Sequence, residues 1–185
     1  MDQYSDSESK PGGSLSYSGR SGALNYLINA SAEPRYQHRV STEHSILGDF
    51  SPNDLVLENR ITQQTDYSLS TNIGYDISAN SSIRFNALFQ QKDNLTDVFR
   101  GTTDLTNGSD SVYREQEIIP GAQDNWEIGG DYEYKFADGS RFKALFISNE
   151  TDMATNRERF EVLSDGSLNK NLYLDASSTL QERIL

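Results

Sequence analysis

The stretch Ile61-Thr62-Gln63-Gln64-Thr65-Asp66-Tyr67-Ser68-Leu69-Ser70-Thr71-Asn72-Ile73-Gly74-Tyr75-Asp76-Ile77 decides the fold class. Ile61, Tyr67, Leu69, Ile73, Tyr75 and Ile77 share one parity, with Gln63, Thr65 and Thr71 between them. Asp66, Ser68, Ser70, Asn72, Gly74 and Asp76 fall on the other. A β-strand points successive side chains to opposite faces, so this run has one aromatic–aliphatic face and one small, polar face. After Ala79-Asn80-Ser81-Ser82 the pattern resumes. Ile83, Phe85, Ala87 and Phe89 oppose Arg84, Asn86, Gln90 and Lys92, and Leu88 is out of pattern. The expectation is a long amphipathic β-hairpin.

A three-residue connection, Ala79 to Ser81, predicts pairing of Ile77 with Ile83, Tyr75 with Phe85 and Ile73 with Ala87. It sets Asp76 opposite Arg84 as a cross-strand ion pair. A slip of one residue would exchange the faces.

Outward from this hairpin the same grammar repeats. Met1 to Pro11 is rich in Ser, Asp and Lys and reads as a flexible tail. Leu15 and Tyr17 open a first strand, Gly19-Arg20-Ser21-Gly22 turns, and Leu24, Tyr26, Ile28, Ala30 and Ala32 return, with Leu27 out of pattern. Trp126, Ile128, Gly130, Tyr132, Tyr134 and Phe136 alternate with Glu127, Gly129, Asp131, Glu133 and Lys135. Asp138-Gly139-Ser140 then turns into Phe142, Ala144 and Phe146, predicted opposite Phe136, Tyr134 and Tyr132. Three polar stretches, Pro34–Glu58, Asp93–Asp124 and Asn149–Lys170, read as long loops because Gly, Pro, Asn and Asp recur in them. A small hairpin around Ser164-Asp165-Gly166-Ser167 falls inside the third, and Ala176 to Leu185 reads as a last strand. Short turns then gather at one end of the sheet and long loops at the other.

The 185 residues suit one domain, residues 12–185, with 35% hydrophobic residues, 10 Tyr, 8 Phe and no Cys. Disulfides and thiolate metal sites are excluded. No apolar run approaches the length of a transmembrane helix. Met1-Asp2-Gln3-Tyr4 opens a stretch without the apolar core of a signal peptide. The net charge of −12 argues against nucleic-acid binding.

A meander with apolar–polar alternation, short turns at one end and long polar connections at the other has the pattern of an outer-membrane β-barrel. On the stretches Gly13 to Ala32, Tyr67 to Phe89 and Trp126 to Phe146, the chain resembles the N-terminal part of the barrel of a TonB-dependent outer-membrane receptor. No plug domain or TonB box is read, and Arg183-Ile184-Leu185 is not the terminal aromatic of a complete barrel. The expectation is therefore an excised, incomplete barrel segment. The resemblance implies an all-β antiparallel meander forming part of a transmembrane β-barrel in the cell outer membrane. It also implies uptake of a scarce nutrient (metal chelate, vitamin or glycan), with ligand contacts in the three long loops and lipid around the apolar face. The TonB system would act through the parent protein, and an isolated segment would self-associate through its open edges. Asp66, Asn72, Asp76, Arg84, Asn86, Asp131, Glu133 and Lys135 would face a polar lumen.

Other chemistry is weakly signalled. His38 and His44, with Glu43, lack the spacing of a two-histidine metal site. Asp104, Asn107 and Asp110 around Gly108 suggest a calcium loop without the bidentate Glu. Glu127, Asp131 and Glu133 share a face and could act as paired carboxylates, but with Lys135 and Lys143 nearby they read as a solvated or luminal wall. Ser21 lacks a nucleophile-elbow frame, and Gly12-Gly13 is no phosphate loop. No catalytic, cofactor-binding or metal residue is assigned, and the chain reads as a non-enzyme. The rival reading is a soluble all-β ligand- or carbohydrate-binding module whose aromatic face is a core.

Overall fold

The alternation beginning at Ile61 belongs to a strand of 27 residues, Pro52–Ser78. A strand of that length is about 90 Å long. The computed structural model describes residues 2–3, 9–106 and 112–185. Its strands, in chain order, are β1 (Asp2–Gln3), β2 (Ser9–Lys10), β3 (Gly13–Ser21), β4 (Leu24–Ile46), β5 (Pro52–Ser78), β6 (Ser81–Asp104), β7 (Val112–Lys135), β8 (Arg141–Val162) and β9 (Leu168–Ile184). β1 and β2 pair in a small ladder of their own, within the stretch read as a tail. β3 to β9 form one open antiparallel sheet in sequence order, and the described residues contain no helix. The all-β meander is therefore as expected.

Two sequence expectations are corrected. The stretches Pro34–Glu58, Asp93–Asp124 and Asn149–Lys170 are mostly strand, not loop. β4 and β5 stay in register from Leu24↔Tyr75 to His44↔Leu55, and β6 and β7 from Ser81↔Tyr134 to Thr103↔Val112. The prolines are accommodated locally. Pro34 follows the end of β3's pairing at Gly13↔Ala32, where β4 has become an edge that needs no N–H donor on that side. At Pro120 the β7–β8 ladder skips from Ile118↔Glu158 to Gly121↔Thr155.

The second correction concerns register and turns. Tyr75 pairs with Ile83 and Ile73 with Phe85, two residues from the expected partners, because Ala79-Asn80 is a two-residue turn with an irregularity between Asp76 and Ser78. Arg84 consequently faces Gly74, and Asp76 faces Ser82. Tyr134 pairs with Phe142 and Tyr132 with Ala144, again a shift of two. β3 runs through Gly19 and Arg20 to Ser21, so the first turn is Gly22-Ala23, with Gly22 at φ 60°. A shift of two leaves every side chain on its expected face.

Three other turns share one device. Asp49, Asp138 and Asp165 each accept at Oδ1 from the hydroxyl and the backbone N–H of the residue two ahead, Ser51, Ser140 and Ser167. These bonds, the hydroxyl first, hold all three carboxyls below their ordinary range. Between Asp and Ser lies a left-handed residue: Gly139 at φ 85°, Gly166 at φ 82°, and Phe50 at φ 66°. Glycine takes that conformation freely and phenylalanine does not.

The register sorts the side chains onto two faces. One carries Leu15, Tyr17, Leu24, Tyr26, Ile28, Tyr67, Leu69, Ile73, Tyr75, Ile83, Phe85, Phe89, Trp126, Ile128, Tyr132, Tyr134, Phe142 and Phe146. Most of these are exposed, Tyr75 at 48% and Phe85 at 38% among them. All seven long strands lie in one sheet, so no second layer covers this face among the described residues. The opposite face is polar, yet it holds the most enclosed side chains, including Glu117, Thr96 and Val98. Among the described residues only Ala87 and Val98 are buried hydrophobics, so no apolar core exists between layers.

Candidate functional site

The polar face is the chemically rich one, and the cross-strand rows arrange it in levels. Near the short turns, Asn25, Gly74, Arg84 and Asp131 lie side by side on β4, β5, β6 and β7. The next row brings Leu27, Asn72, Asn86 and Gly129 together. Gly74 contributes no side chain, and a hollow of about 420 Å³ opens between the Asn, Arg and Asp side chains. Leu27, out of pattern in the sequence, is the main apolar group in it.

Around Asp131 the charges are close but loosely joined. Arg84 Nε is 3.9 Å from Asp131 Oδ1, and Lys143 Nζ is 3.7 Å from Oδ2. Glu133 receives Arg84, Lys135 and Arg141 at 3.7, 3.9 and 3.8 Å. The Asp131 side chain is 10% exposed, and its buried Oδ1 has no hydrogen-bond partner among the described residues. Arg20 reaches Asp76 at 3.5 Å. The expected Asp76–Arg84 pair is thus replaced by two others, each set by the shifted register.

Toward the far turns, an arginine–glutamate lattice crosses β4 to β8. One row reads Arg39, Arg60, Val98, Glu117, Arg159; the next reads Ser41, Glu58, Arg100, Glu115, Glu161. Glu58 binds Arg100 at 2.7 Å, Arg60 at 3.1 Å and Arg39 at 3.3 Å. Glu117, 3% exposed, binds Arg157 at 2.7 Å and Arg159 at 2.5 Å. Glu115 lies 3.7 Å from Arg100 and 3.8 Å from Arg159, tying the two centres together. The hydrogen bond from Arg100 holds the Glu58 carboxyl below its ordinary range against an upward push from burial. At Glu117 burial is the largest influence and pushes up, but the bonds from Arg157 and Arg159 together outweigh it and the carboxyl is lowered. Val98, 1% exposed, is covered by this lattice.

The sequence candidates are placed as follows. His38 Nε2 lies 2.7 Å from Asn59 Oδ1 on β5. His44 is six residues farther along β4, about 20 Å away, and Glu43 points to the other face. No group of three acidic, His or Cys ligands converges among the described residues. Asp104 Oδ1 accepts from the N–H and hydroxyl of Thr106, a turn contact. Asn107 and Asp110 lie outside the described residues. Glu127, Asp131 and Glu133 share the polar face of β7 as expected, but Asp131 and Glu133 are engaged by the cations named above. The lattice was missed by sequence reading. Its signal was the doublets Glu58-x-Arg60, Glu115-x-Glu117 and Arg157-x-Arg159, whose members share a strand face.

The carboxylates of Glu58, Glu115 and Glu117 are all paired with guanidinium groups. No protein-family model matches the chain, and no curated protein matches its sequence.

Proposed function

We propose that this sheet is a wall segment of an outer-membrane β-barrel receptor of the TonB-dependent kind, taking up a scarce nutrient. The observation that carries the reading is a charge-free belt on the apolar face. From Leu24 to Tyr36 on β4, Tyr67 to Tyr75 on β5, Ile83 to Gln91 on β6, Trp126 to Tyr134 on β7 and Phe142 to Ser148 on β8, that face holds no Asp, Glu, Lys or Arg. Directly above it the same face turns acidic, at Asp93, Asp124, Glu150 and Asp152, with Glu150 paired to Trp126 at the margin. Tyr67 and Tyr75 bound the belt on β5, and Trp126 and Tyr134 bound it on β7, eight residues apart in both strands. Eight residues span about 27 Å along a strand, and a tilt near 40° leaves about 20 Å of depth. That is most of the roughly 25 Å apolar band of such barrels, with aromatic rings at both margins.

Beyond the belt, β4 to β8 continue as paired ribbons. In this reading the ribbons rise outside the membrane and offer ligand contacts on their polar face, with passage along that face below. A soluble module would need the aromatic face covered by a second layer of the same chain.

Trp126 is the single tryptophan and lies at the belt margin. Refolding the chain into vesicles containing brominated lipid should quench its fluorescence and shift it to the blue. A compact monomer in plain buffer, unquenched by those vesicles, would overturn the proposal.

A further inference from the structure

The hollow around Gly74 gathers a definite set of polar groups. Asn25, Asn72 and Asn86 come from three adjacent strands, and their amides make no side-chain hydrogen bond among the described residues. Each offers two donors and one acceptor oxygen in a plane. Arg84 adds donors. Asp131 adds acceptors, one of them a buried oxygen that has no hydrogen-bond partner among the described residues and lies 3.9 Å from Arg84 Nε. Arg84 and Asp131 cancel in charge, so the hollow as a whole favours neither an anion nor a cation. A polyol donates and accepts at many closely spaced points while carrying no charge, which matches this lining. Leu27 provides a small apolar surface for the C–H face of such a ring. Gly74 keeps the floor open: a Cβ built there meets only the Asn25 side chain, at 4.0 Å.

From this we infer that the hollow binds a neutral polyhydroxylated solute, a sugar, through Asn25, Asn72, Asn86, Arg84 and Asp131. The inference rests on the polar face being the solute path and names the class of solute. Sugar hydroxyls satisfy the idle amides, and one hydroxyl can donate to Asp131 while accepting from Arg84. A metal ion is disfavoured by the guanidinium beside the only carboxylate in the hollow.

The test follows the side-chain amide resonances of the full chain, 15N-labelled in detergent micelles, during titration with the neutral trisaccharides maltotriose, cellotriose and raffinose. The expected result is saturable shifts of the Asn25, Asn72 and Asn86 amides with at least one of these sugars. Gly74→Ile fills the hollow with a residue that strands favour, and it should abolish the shifts while leaving the sheet's backbone resonances in place. Asn72→Ala with Asn86→Ala should weaken binding at least tenfold. Absence of shifts with all three sugars, equal binding by Gly74→Ile, or saturable shifts with inorganic phosphate alone would overturn the inference. Quenching of Trp126 by brominated lipid is read on the opposite face, so loss of sugar binding with quenching intact separates this inference from the membrane reading.

Discussion

Glu117 and Arg157 meet across β7 and β8 with both carboxylate oxygens engaged by one guanidinium nitrogen, at 2.7 and 2.9 Å. Arg159 binds the same carboxylate from two residues farther along β8. An enclosed carboxylate held this way depends on its partners, because leaving a buried charged group unsatisfied costs more than the bond itself contributes. Glu117→Ala should destabilise the far half of the sheet by about 1–3 kcal/mol. Urea unfolding and amide hydrogen exchange across β7–β8 would measure it, and exchange in the Tyr75–Ile83 hairpin should not change.

The lattice also predicts an acid-sensitive far half. Glu58 and Glu117 are both lowered from the ordinary 4.5. A lowered folded value means that the stabilisation is complete above about pH 5 and is lost as pH falls through the folded values, below 4.5. Unfolding midpoints measured from pH 7 to pH 3 should hold steady and then fall. Glu58→Gln with Glu117→Gln should flatten that fall.

Phe50 occupies the left-handed position that glycine fills in the two sister turns. The residue is 82% exposed, so packing returns little for the backbone strain. Phe50→Gly should stabilise the β4–β5 hairpin by about 1 kcal/mol, seen as a raised Tm. No gain would show that the Phe50 ring has a role in solution that offsets the strain.

The belt predicts a face-dependent cost of charge. Ile73→Arg lies mid-belt and should weaken insertion by about 2–4 kcal/mol. Ser70→Arg, on the other face of the same strand, should leave insertion nearly unchanged. Partition between vesicles and urea solution compares the two, and equal effects would remove the distinction between a lipid side and a water side.

The near half of the fold was legible because its two faces differ. Tyr67, Leu69, Ile73 and Tyr75 against Ser68, Ser70, Asn72 and Gly74 give a period of two that reads directly from the chain. The far half was not legible, because its two faces are mixed. On β5, Leu57 and Ile61 share one face with Asn59 and Gln63, while Val56 shares the other with Glu58 and Arg60, so the contrast weakens although the ladder continues. The two-residue shift of each hairpin was invisible for a related reason: it preserves the faces, and only the turn geometry at Ala79-Asn80 and Asp138-Gly139 settles it. The polar hollow was legible only in part: Asn72, Arg84, Asn86 and Asp131 were expected to face a lumen, and Asn25 was not among them. That Asn25, Asn72 and Asn86 converge on Gly74 depends on a register that alternation alone does not supply.

The Asp-x-Ser turns at Asp49 and Asp165 close their ribbons tightly, so the β4–β5 and β8–β9 ends are stiff rods and not floppy arms. In the proposed receptor a visiting molecule would meet surfaces already ordered there, and little chain freedom would be surrendered when it docks. Discrimination there would be rigid and geometric, and proteases, which need slack chain, would find few places to cut in these two turns.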